Sequence, residues 1–349
     1  MERAKGFHKG LHVVLSLLAI EALTSGCRGQ TTVAHSSSEH VYTGVYVPSN
    51  PSDLSLLTTF ENNAKKKVSI VTWYQAWGAT DGSQNFETGW MNTIRNHGSY
   101  PLVSWMPWDP GNGTANQPPY ALRNIINGNF DTYIKNWALA SRTWGHPYFL
   151  RFAYEMNGYW FPWCEQFKGK PINGNRAGEY VKAWKHVYAL FQQFGVTNVT
   201  WVWSPNISFN GTPPLSSLYP GDSFVDWTGM DGYNWGNLQG HNWQSLSQIF
   251  QTTYNTITGL STKPVMIAET ASTESGGNKA AWITRGFTMQ IPNNFSKIRA
   301  VIWFDMDKET DWRIESSNTA QLAYAAAMQS DFYLTNTFAS AGNSPIPKP

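Results

Sequence analysis

The sequence predicts a closed (β/α)8 barrel, an α/β fold class, and three observations support that prediction. Eight short runs rich in β-branched and aromatic residues recur along the chain, with starts roughly 26 to 51 residues apart, the length of a βαβ repeat. Amphipathic segments of helical period alternate with these runs. No linker or low-complexity stretch separates them, which indicates one domain. An open doubly wound sheet is the alternative, but no glycine-rich phosphate loop follows the first run, which argues against its nucleotide-binding form.

The predicted strands and helices alternate in order along the chain. The strands are expected to begin at Tyr42, Val68, Tyr100, Pro147, Asn198, Asp226, Pro264 and Arg299. Helical patterns lie over residues 54–66, 90–97, 120–144, 179–194, 243–260, 279–289 and 320–329. The clearest helix covers Glu179 to Phe194, where apolar residues recur at i, i+4, i+7, i+8 and i+11 from Tyr180.

The first 27 residues have the layout of a secretory signal. Basic residues occur in the first ten, a largely apolar run extends from Leu11 to Ile20, and small residues precede Cys27. We therefore expect export. A cysteine at this place resembles the cleavage site of bacterial lipoproteins, where Cys27 would carry a lipid anchor, and ordinary cleavage nearby is the alternative. We expect a secreted protein or a lipoprotein of a bacterial cell surface.

The remaining chain is predicted to contain one folded unit. Residues 28–40 are expected to form a polar tether, 41–335 the barrel, and 336–349 a flexible tail, because this last segment is small, polar and proline-rich. Two cysteines do not make a disulfide framework. If Cys27 is lipidated, Cys164 is expected to be a buried thiol, and a bridge between the two is the alternative.

Composition limits the classes of ligand. The formal net charge is only +2 over 349 residues, which excludes the electrostatic footprint of a nucleic-acid-binding protein. The chain contains 18 Trp, more than a core readily absorbs, and this favours a surface that binds flat, amphipathic molecules. The eight His residues show no spacing typical of metal ligands, so we expect neither a catalytic metal nor a cofactor. A structural metal stays an open alternative.

Two carboxylates are predicted to lie at the mouth of the barrel. Functional side chains of such barrels lie at the C-terminal ends of the strands, and the fourth and seventh predicted strands end at Glu155 and Glu269. Other predicted strand ends carry aromatic or acidic residues, namely Trp105, Trp108, Asp231, Tyr233, Trp235, Trp303, Asp305 and Asp307. A carboxylate pair in an aromatic cleft suits cleavage of a glycosidic bond, in which one acid protonates the leaving oxygen and the other attacks carbon or activates water.

Other interpretations of these glutamates stay open. Each one alone is equally compatible with a strand-end ion pair, such as Glu155 with Arg151 four residues earlier. A carbohydrate-binding protein on an inactive barrel would keep the tryptophans and lose a glutamate, and both are present here. A metal-dependent hydrolase would need His at the strand ends.

Three segments resemble glycoside hydrolase family 26. RFAYEMNGYWFPW, residues 151–163, is similar to the acid/base signature of that family, commonly R-x-x-H-E-M-N-G-x-W-[FY]-x-W. YPGDSFVDWTGMDGYNWG and KPVMIAETAS, residues 219–236 and 263–272, are similar to its sixth- and seventh-strand segments. The resemblance extends from Tyr42 to about Ser317. It implies a retaining endo-β-glycosidase whose partner is a polysaccharide, and we expect a monomer.

The resemblance also implies residue roles. Glu155 would be the general acid/base, with a raised pKa because it must arrive protonated, and Glu269 would be the nucleophile. Their carboxyl groups should then lie about 5 to 5.5 Å apart. Tyr233 would hydrogen-bond the nucleophile, and Trp160 and Trp303 would line the sugar subsites. We expect further substrate contacts from Tyr154, Trp105, Trp108, Asp231 and Trp235.

Two features bear on the substrate. Family members cut β-1,4-mannan, mixed-linkage β-1,3-1,4-glucan or β-1,3-xylan. Tyr154 stands where the family usually has His, and IWFDMDKETDWRI, residues 302–314, is closer to the mixed-linkage glucanase branch. Mixed-linkage glucan is therefore favoured, with mannan or β-1,3-xylan as the alternatives. The segment 308–317 is predicted either as an aromatic-bearing subsite loop or as a loop pinned by an Asp–Arg pair.

Overall fold

A computed structural model describes residues 39–349 of the chain. The predicted signal over 1–27, Cys27 and nearly all of the predicted tether lie outside the described residues. Each helix in the described part is too short or too polar to span a bilayer.

The chain folds into a closed parallel barrel, which confirms the predicted fold class. The strands are β1 Val41–Tyr46, β2 Ile70–Ala76, β3 Tyr100–Met106, β4 Tyr148–Phe152, β5 Gln166–Phe167, β6 Lys170–Pro171, β7 Val199–Trp203, β8 Trp227–Asn234, β9 Val265–Ser272, β10 Ile298–Phe304 and β11 Tyr333–Leu334. Eight of them pair in the order β10-β9-β8-β7-β4-β3-β2-β1, and β10 also pairs with β1, which closes the barrel. The short strands β5 and β6 form a separate antiparallel hairpin.

Helices cover the outside of the barrel. They are α1 Ser55–Ala64, α2 Thr88–His97, α3 Leu122–Ile126, α4 Asp131–Trp144, α5 Glu179–Gln193, α6 Leu215–Leu218, α7 Leu246–Leu260, α8 Lys279–Arg285, α9 Ile291–Asn294 and α10 Asn318–Met328. A π-helical turn over Gly286–Gln290 joins α8 to α9. The single helix predicted over 120–144 is in fact two, α3 and α4, because Gly128 between them adopts a φ of 84°, outside the helical region.

The barrel interior changes in character along its strands. Successive side chains of a strand point to opposite faces, so residues two apart share a face. In β3, Leu102 points inward with Ser104 above it, and in β4, Phe149 points inward with Arg151 above it. The apolar layer of the interior consists of Tyr42, Ile70, Tyr100, Leu102, Phe149, Val202, Trp227, Met266, Ala268, Ala300, Ile302 and Ile346.

The C-terminal segment closes the lower, N-terminal end of the barrel. Ile346 is buried in the interior cluster, and its amide donates to Thr200 Oγ1 at 2.7 Å. Its carbonyl accepts from the indole of Trp227 at 2.9 Å, and Phe338 stacks on Tyr100 with ring centroids 4.6 Å apart. The prediction of a flexible tail over 336–349 is therefore wrong, because its apolar side chains cover the open end of the barrel.

Candidate active site

The end of β4 places Glu155 at the mouth through an unusual backbone path. Ala153 and Glu155 both adopt positive φ angles, 43° and 52°, a conformation that costs a non-glycine residue on the order of 1 to 3 kcal/mol. Neighbouring strand ends hold this path, since the amide of Ala153 donates to the carbonyl of Trp105 at 3.0 Å and that of Glu155 to Ser204 at 2.7 Å. Strain supported in this way is typical of functional sites.

Arg151 is the buried cation at the centre of the site. Its guanidinium donates to Glu269 Oε1 at 2.6 Å, to Asp231 Oδ2, and to Ser104 Oγ at 3.1 Å. The interpretation of Arg151 as the ion-pair partner of Glu155 is therefore wrong. Below the mouth, the single guanidinium of Arg151 is the ion-pair partner of both Asp231 and Glu269. Buried charges require such partners.

Glu269, near the end of β9, is held by donors on both oxygens. Tyr233 donates its hydroxyl to Oε2 at 2.6 Å, and Arg151 occupies Oε1. Two donors, one on each oxygen, fix the orientation of the carboxylate. The arrangement suits a group that must present one oxygen to a substrate in a fixed position.

Glu155 has a different environment. The indole of Trp160 donates to its Oε2 at 2.7 Å, and the side chain is partly exposed at the mouth. Burial, and then the negative charge of Glu269, raise the pKa of Glu155 to about 7, against the opposing effects of Arg151 and the Trp160 hydrogen bond. A carboxyl group with this pKa still carries its proton in a large fraction of molecules near neutral pH.

The three carboxylates form one cluster. Glu155, Asp231 and Glu269 each place one oxygen within 4.8 Å of the others. Oxygens this near one another are compatible with the separation of about 5 to 5.5 Å between the carboxyl groups of retaining enzymes. The oxygens are near enough to hold a cation, and the guanidinium of Arg151 fills that place for two of the three, Asp231 and Glu269.

Asp231 cannot touch a substrate as predicted. Its side chain is fully buried beneath the mouth, where it accepts from Ser204 Oγ at 3.1 Å and from Arg151. Burial raises its pKa well above the usual range, which Arg151 partly opposes. The contacts make Asp231 a positioning residue for Arg151.

The predicted contacts of Trp105 and Trp303 with substrate are also wrong. Both side chains are 0% exposed and point away from the interior, toward the helices. Trp105 packs on Trp137 of α4 with ring centroids 4.7 Å apart, and Trp303 packs on Tyr324 of α10 at 5.2 Å. Each follows an inward-facing residue and so belongs to the opposite face of its strand.

Three predicted tryptophans do lie at the mouth. Trp108, Trp160 and Trp235 are all partly exposed. Trp108 meets Phe161 edge-on at 5.4 Å, whereas Trp235 stacks on His241 at 5.4 Å. Each of the three rings is therefore partly accessible from the mouth.

Tyr154 lies on the floor of the site. It is 4% exposed, the guanidinium carbon of Arg151 lies 3.9 Å from the centre of its ring, and its hydroxyl donates to the sulfur of Met106 at 3.4 Å. Burial raises the pKa of Tyr154 well above its usual range, so the phenol stays neutral. Any effect of Tyr154 on a substrate therefore acts through the shape of the floor.

Sequence reasoning missed two tyrosines beside Glu269. Tyr46 and Tyr74 meet edge-on at 4.8 Å, and burial together with the charge of Glu269 raises the pKa of both. The sequence places both near strand ends, but only the structure shows that Tyr74 shares the inward face of Ile70, four residues earlier.

The loop after β10 matches the pinned-loop alternative. Arg313 donates to both carboxylate oxygens of Asp311, at 2.8 and 2.7 Å. The buried amine of Lys279 donates to the carbonyls of Asp311 and Arg313 and to Ser316 Oγ, at 3.2, 2.7 and 2.9 Å. Trp312 is only 1% exposed and packs against Tyr233 at 5.1 Å, so it supports the site from behind.

Comparison with known proteins agrees with this geometry. The sequence model of glycosyl hydrolase family 26 matches residues 55–285. The chain belongs to this family. The family resemblance predicted from the three segments is thereby confirmed, and with it the assignment to the glycoside hydrolases.

Two curated relatives and one solved structure show how far the similarity extends. Endoglucanase H of Acetivibrio thermocellus is 37% identical over 289 residues, which are 82% of this chain but 30% of that protein. Beta-1,3-xylanase TXYA of Vibrio sp. is 29% identical over 112 residues, 31% of this chain and 22% of that protein. The catalytic domain of the Bacillus sp. JAMB-750 GH26 endo-β-1,4-mannanase superimposes with a TM-score of 0.63 at 19% identity, covering 87% of this chain and 90% of that one. The chain thus spans less than a third of the curated relatives it matches.

Proposed function

We propose that this protein is a retaining endo-β-glycosidase that cleaves a β-linked polysaccharide, with Glu155 as general acid/base and Glu269 as nucleophile. The observation that carries the proposal is the pair of neighbouring carboxylates in unequal environments. One is held by Tyr233 and Arg151, and the other has its pKa raised to about 7. A carboxyl group with a raised pKa can serve as the proton donor, and a carboxylate oriented by two donors can serve as the nucleophile.

The geometry supports a double displacement. In the first step, Glu269 attacks the anomeric carbon while Glu155 transfers its proton to the glycosidic oxygen, so the carbon–oxygen bond breaks and the leaving sugar departs as an alcohol. In the second step, Glu155 removes a proton from water, whose oxygen attacks the same carbon and releases Glu269. Glu155 is thereby protonated again. The floor of Arg151, Asp231 and Tyr233 keeps Glu269 oriented through both steps.

Mixed-linkage β-1,3-1,4-glucan is the proposed substrate. The support is Tyr154 in place of the usual His, and the 37% identity to a protein named endoglucanase. Tyr154 packs on Arg151 and lies 5.8 Å from Tyr74, so its ring shapes the floor under the reacting sugar. Mannose carries its 2-hydroxyl axially and glucose carries it equatorially. A bulkier floor should penalise mannose by roughly 1 to 3 kcal/mol.

A panel of polysaccharides tests this choice. Reducing-sugar release is measured on barley β-glucan, lichenan, glucomannan, galactomannan and β-1,3-xylan for the wild type and for Tyr154→His. We expect the highest kcat/KM on barley β-glucan and a shift toward mannan in the variant. Preference of the wild type for either mannan would contradict the substrate assignment and leave the carboxylate pair intact.

The role of Glu155 is tested separately with an activated aryl glycoside. Glu155→Ala should lose activity on polysaccharide, which needs a proton donor, and retain more on the aryl substrate, whose leaving group needs little protonation. Azide should restore part of the activity by attacking the intermediate. Equal losses on both substrates, with no response to azide, would rule out the acid/base role.

We also propose that the protein is exported and monomeric, with Cys27 as the site of a lipid anchor. The support for export and for the anchor is the sequence of the first 27 residues. Mass spectrometry of the mature N-terminus tests the anchor, since a diacylated Cys27 and a residue exposed by ordinary cleavage differ in mass. Size-exclusion chromatography with light scattering tests the oligomeric state.

A further inference from the structure

An aromatic ridge stands on one side of the mouth, formed by Tyr159, Trp160, Phe167 and Phe209. Tyr159 is 49% exposed, in contrast to the buried core, and its ring lies 4.6 Å from that of Phe167 and 5.1 Å from that of Trp160. Phe209 stacks on Trp160 with an interplanar angle of 11° at 6.0 Å. The ridge therefore joins the loop after β4, the β5–β6 hairpin and the loop after β7.

The backbone conformation holds the rings of the ridge in place. A Cβ atom at Gly158 would lie 2.6 Å from the Trp160 indole, so glycine is required for that ring to fold back. This fold lets the indole reach Glu155. The hairpin is tied to the loop after β7, because the amide of Lys168 donates to the carbonyl of Gly211 at 2.9 Å. An exposed ring on such a support costs little conformational entropy on binding.

The ridge contacts one member of the catalytic pair. Its link to the site is the hydrogen bond from Trp160 to Glu155. A different aromatic group surrounds Glu269, namely Tyr46, Tyr74 and Tyr233. The nucleophile bonds to the sugar that stays on the enzyme, and the acid protonates the oxygen of the sugar that leaves. The side of Glu155 on which Trp160 lies therefore faces the leaving group.

We propose that Tyr159, supported by Phe167 and Phe209, is a binding platform for the leaving-group part of a β-glycan, beyond the sugar that contacts Glu155. This inference rests on the proposed function. The exposed ring of Tyr159 offers a flat apolar surface on which the apolar face of a pyranose ring can stack. Binding energy from this remote contact helps to hold the scissile bond against Glu155.

The test compares two substrates with the same retained part. Barley β-glucan extends over the ridge, whereas a 2-chloro-4-nitrophenyl glycoside of a mixed-linkage trisaccharide places only the aryl group on the leaving side. For Tyr159→Ala we expect kcat/KM on the polymer to fall roughly threefold to tenfold. The value on the aryl glycoside should stay within about twofold. Tyr159→Phe keeps the ring and should behave as the wild type.

A second control and a binding measurement complete the test. Leu322→Ala removes a similarly exposed apolar side chain on α10, 58% exposed, and should change neither substrate. In a Glu269→Ala background, calorimetry with a mixed-linkage hexasaccharide should show weaker binding when Tyr159→Ala is added. This readout does not depend on turnover.

The outcomes separate the two proposals. Equal losses on both substrates, or no loss on either together with unchanged hexasaccharide binding, would overturn the platform while the enzyme stays active. A wild type inactive on every polysaccharide would overturn the proposed function, and the binding measurement would still decide the platform.

Discussion

The two ends of the barrel differ sharply although the same strands build both. At the lower end the interior holds Leu102, Phe149 and Val202, packed against the C-terminal segment. Two residues further along the same strands the interior holds Ser104, Arg151 and Ser204. All three are buried, and each is hydrogen-bonded to Asp231 or to another of the three. A shift of two residues along each strand thus separates the apolar layer of the interior from the polar layer of the active site.

This difference shows where stability and activity reside. The lower end has apolar contacts, and the backbone N–H and C=O of Ile346 in the tail are paired with the side chains of Thr200 and Trp227. The upper end carries two positive-φ residues, a shared buried guanidinium and three close carboxylates, each of which is costly to the fold. Changes at the upper end should therefore reduce activity more than stability, and changes at the lower end the reverse.

The largest effect is expected at Glu269. Glu269→Ala should lower kcat by about 10⁴-fold or more, because no covalent intermediate can form. The melting temperature should change little, since Arg151 keeps Asp231 as a partner. Kinetics on barley β-glucan and thermal unfolding by circular dichroism measure the two quantities. Retention of more than about one hundredth of the activity would show that another group attacks the sugar.

At the opposite end, Ile346→Ala should destabilise the protein by about 2 to 4 kcal/mol, because it leaves a cavity in the closed interior. The value of kcat should be unchanged at temperatures where the variant is folded. Urea unfolding measures the first quantity, with the exposed Leu322→Ala as a control expected within about 0.5 kcal/mol of the wild type. A stable Ile346→Ala would mean that the tail does not seal the barrel.

A third prediction concerns pH and Trp160. Because the pKa of Glu155 is raised to about 7 and its protonated form is the active acid, kcat/KM should fall as pH rises through that value. Trp160 donates to the charged form and so lowers this pKa. Trp160→Phe should therefore move the alkaline limb upward by about 0.5 to 1 pH unit.

The quantity measured is the pH at the midpoint of the alkaline fall in kcat/KM. The absolute value of kcat/KM is not compared, because Trp160→Phe also disturbs the ridge. Tyr159→Phe, which leaves the indole hydrogen bond in place, serves as the control and should not move the limb. An unshifted limb in Trp160→Phe would assign the titration to a group other than Glu155.

The smallest effect is expected in the loop after β10. Arg313→Ala removes an ion pair whose guanidinium is 41% exposed, and it should cost less than about 1 kcal/mol. Lys279→Met should cost more, because the buried amine holds the same loop through three hydrogen bonds. Urea unfolding of both variants gives the ranking, and the reverse order would show that the surface pair anchors the loop.

The sequence alone determined the barrel and the positions of its two glutamates. The βαβ spacing and the helical periods predicted eight strands, and the structure contains all of them. The prediction that both glutamates come from strand ends needed only the rule that strands of a parallel barrel run the same way, so their ends meet. Local chemistry in residues 151–163 was enough to indicate the family, now confirmed by comparison.

Only the tertiary structure decided which side chains face the mouth. Barrel strands are buried on both faces and read as continuous apolar runs, so the sequence does not say which residues point inward. This is why Trp105 and Trp303 were misplaced. Two local irregularities also change which side of a strand the residues at the site point to. One is a register shift in the pairing of β8 with β9 near Asp231, and the other is the pair of positive φ angles at Ala153 and Glu155.

Long-range pairing explains the rest. Arg151 could have paired with Glu155, four residues away, yet it pairs with Asp231 and Glu269, which lie 80 and 118 residues along the chain. The tail was predicted to be flexible because its composition is polar, and its few apolar residues acquire a partner only when the barrel leaves an end open. Such contacts depend on which surfaces the closed barrel brings together, and local sequence carries no record of that.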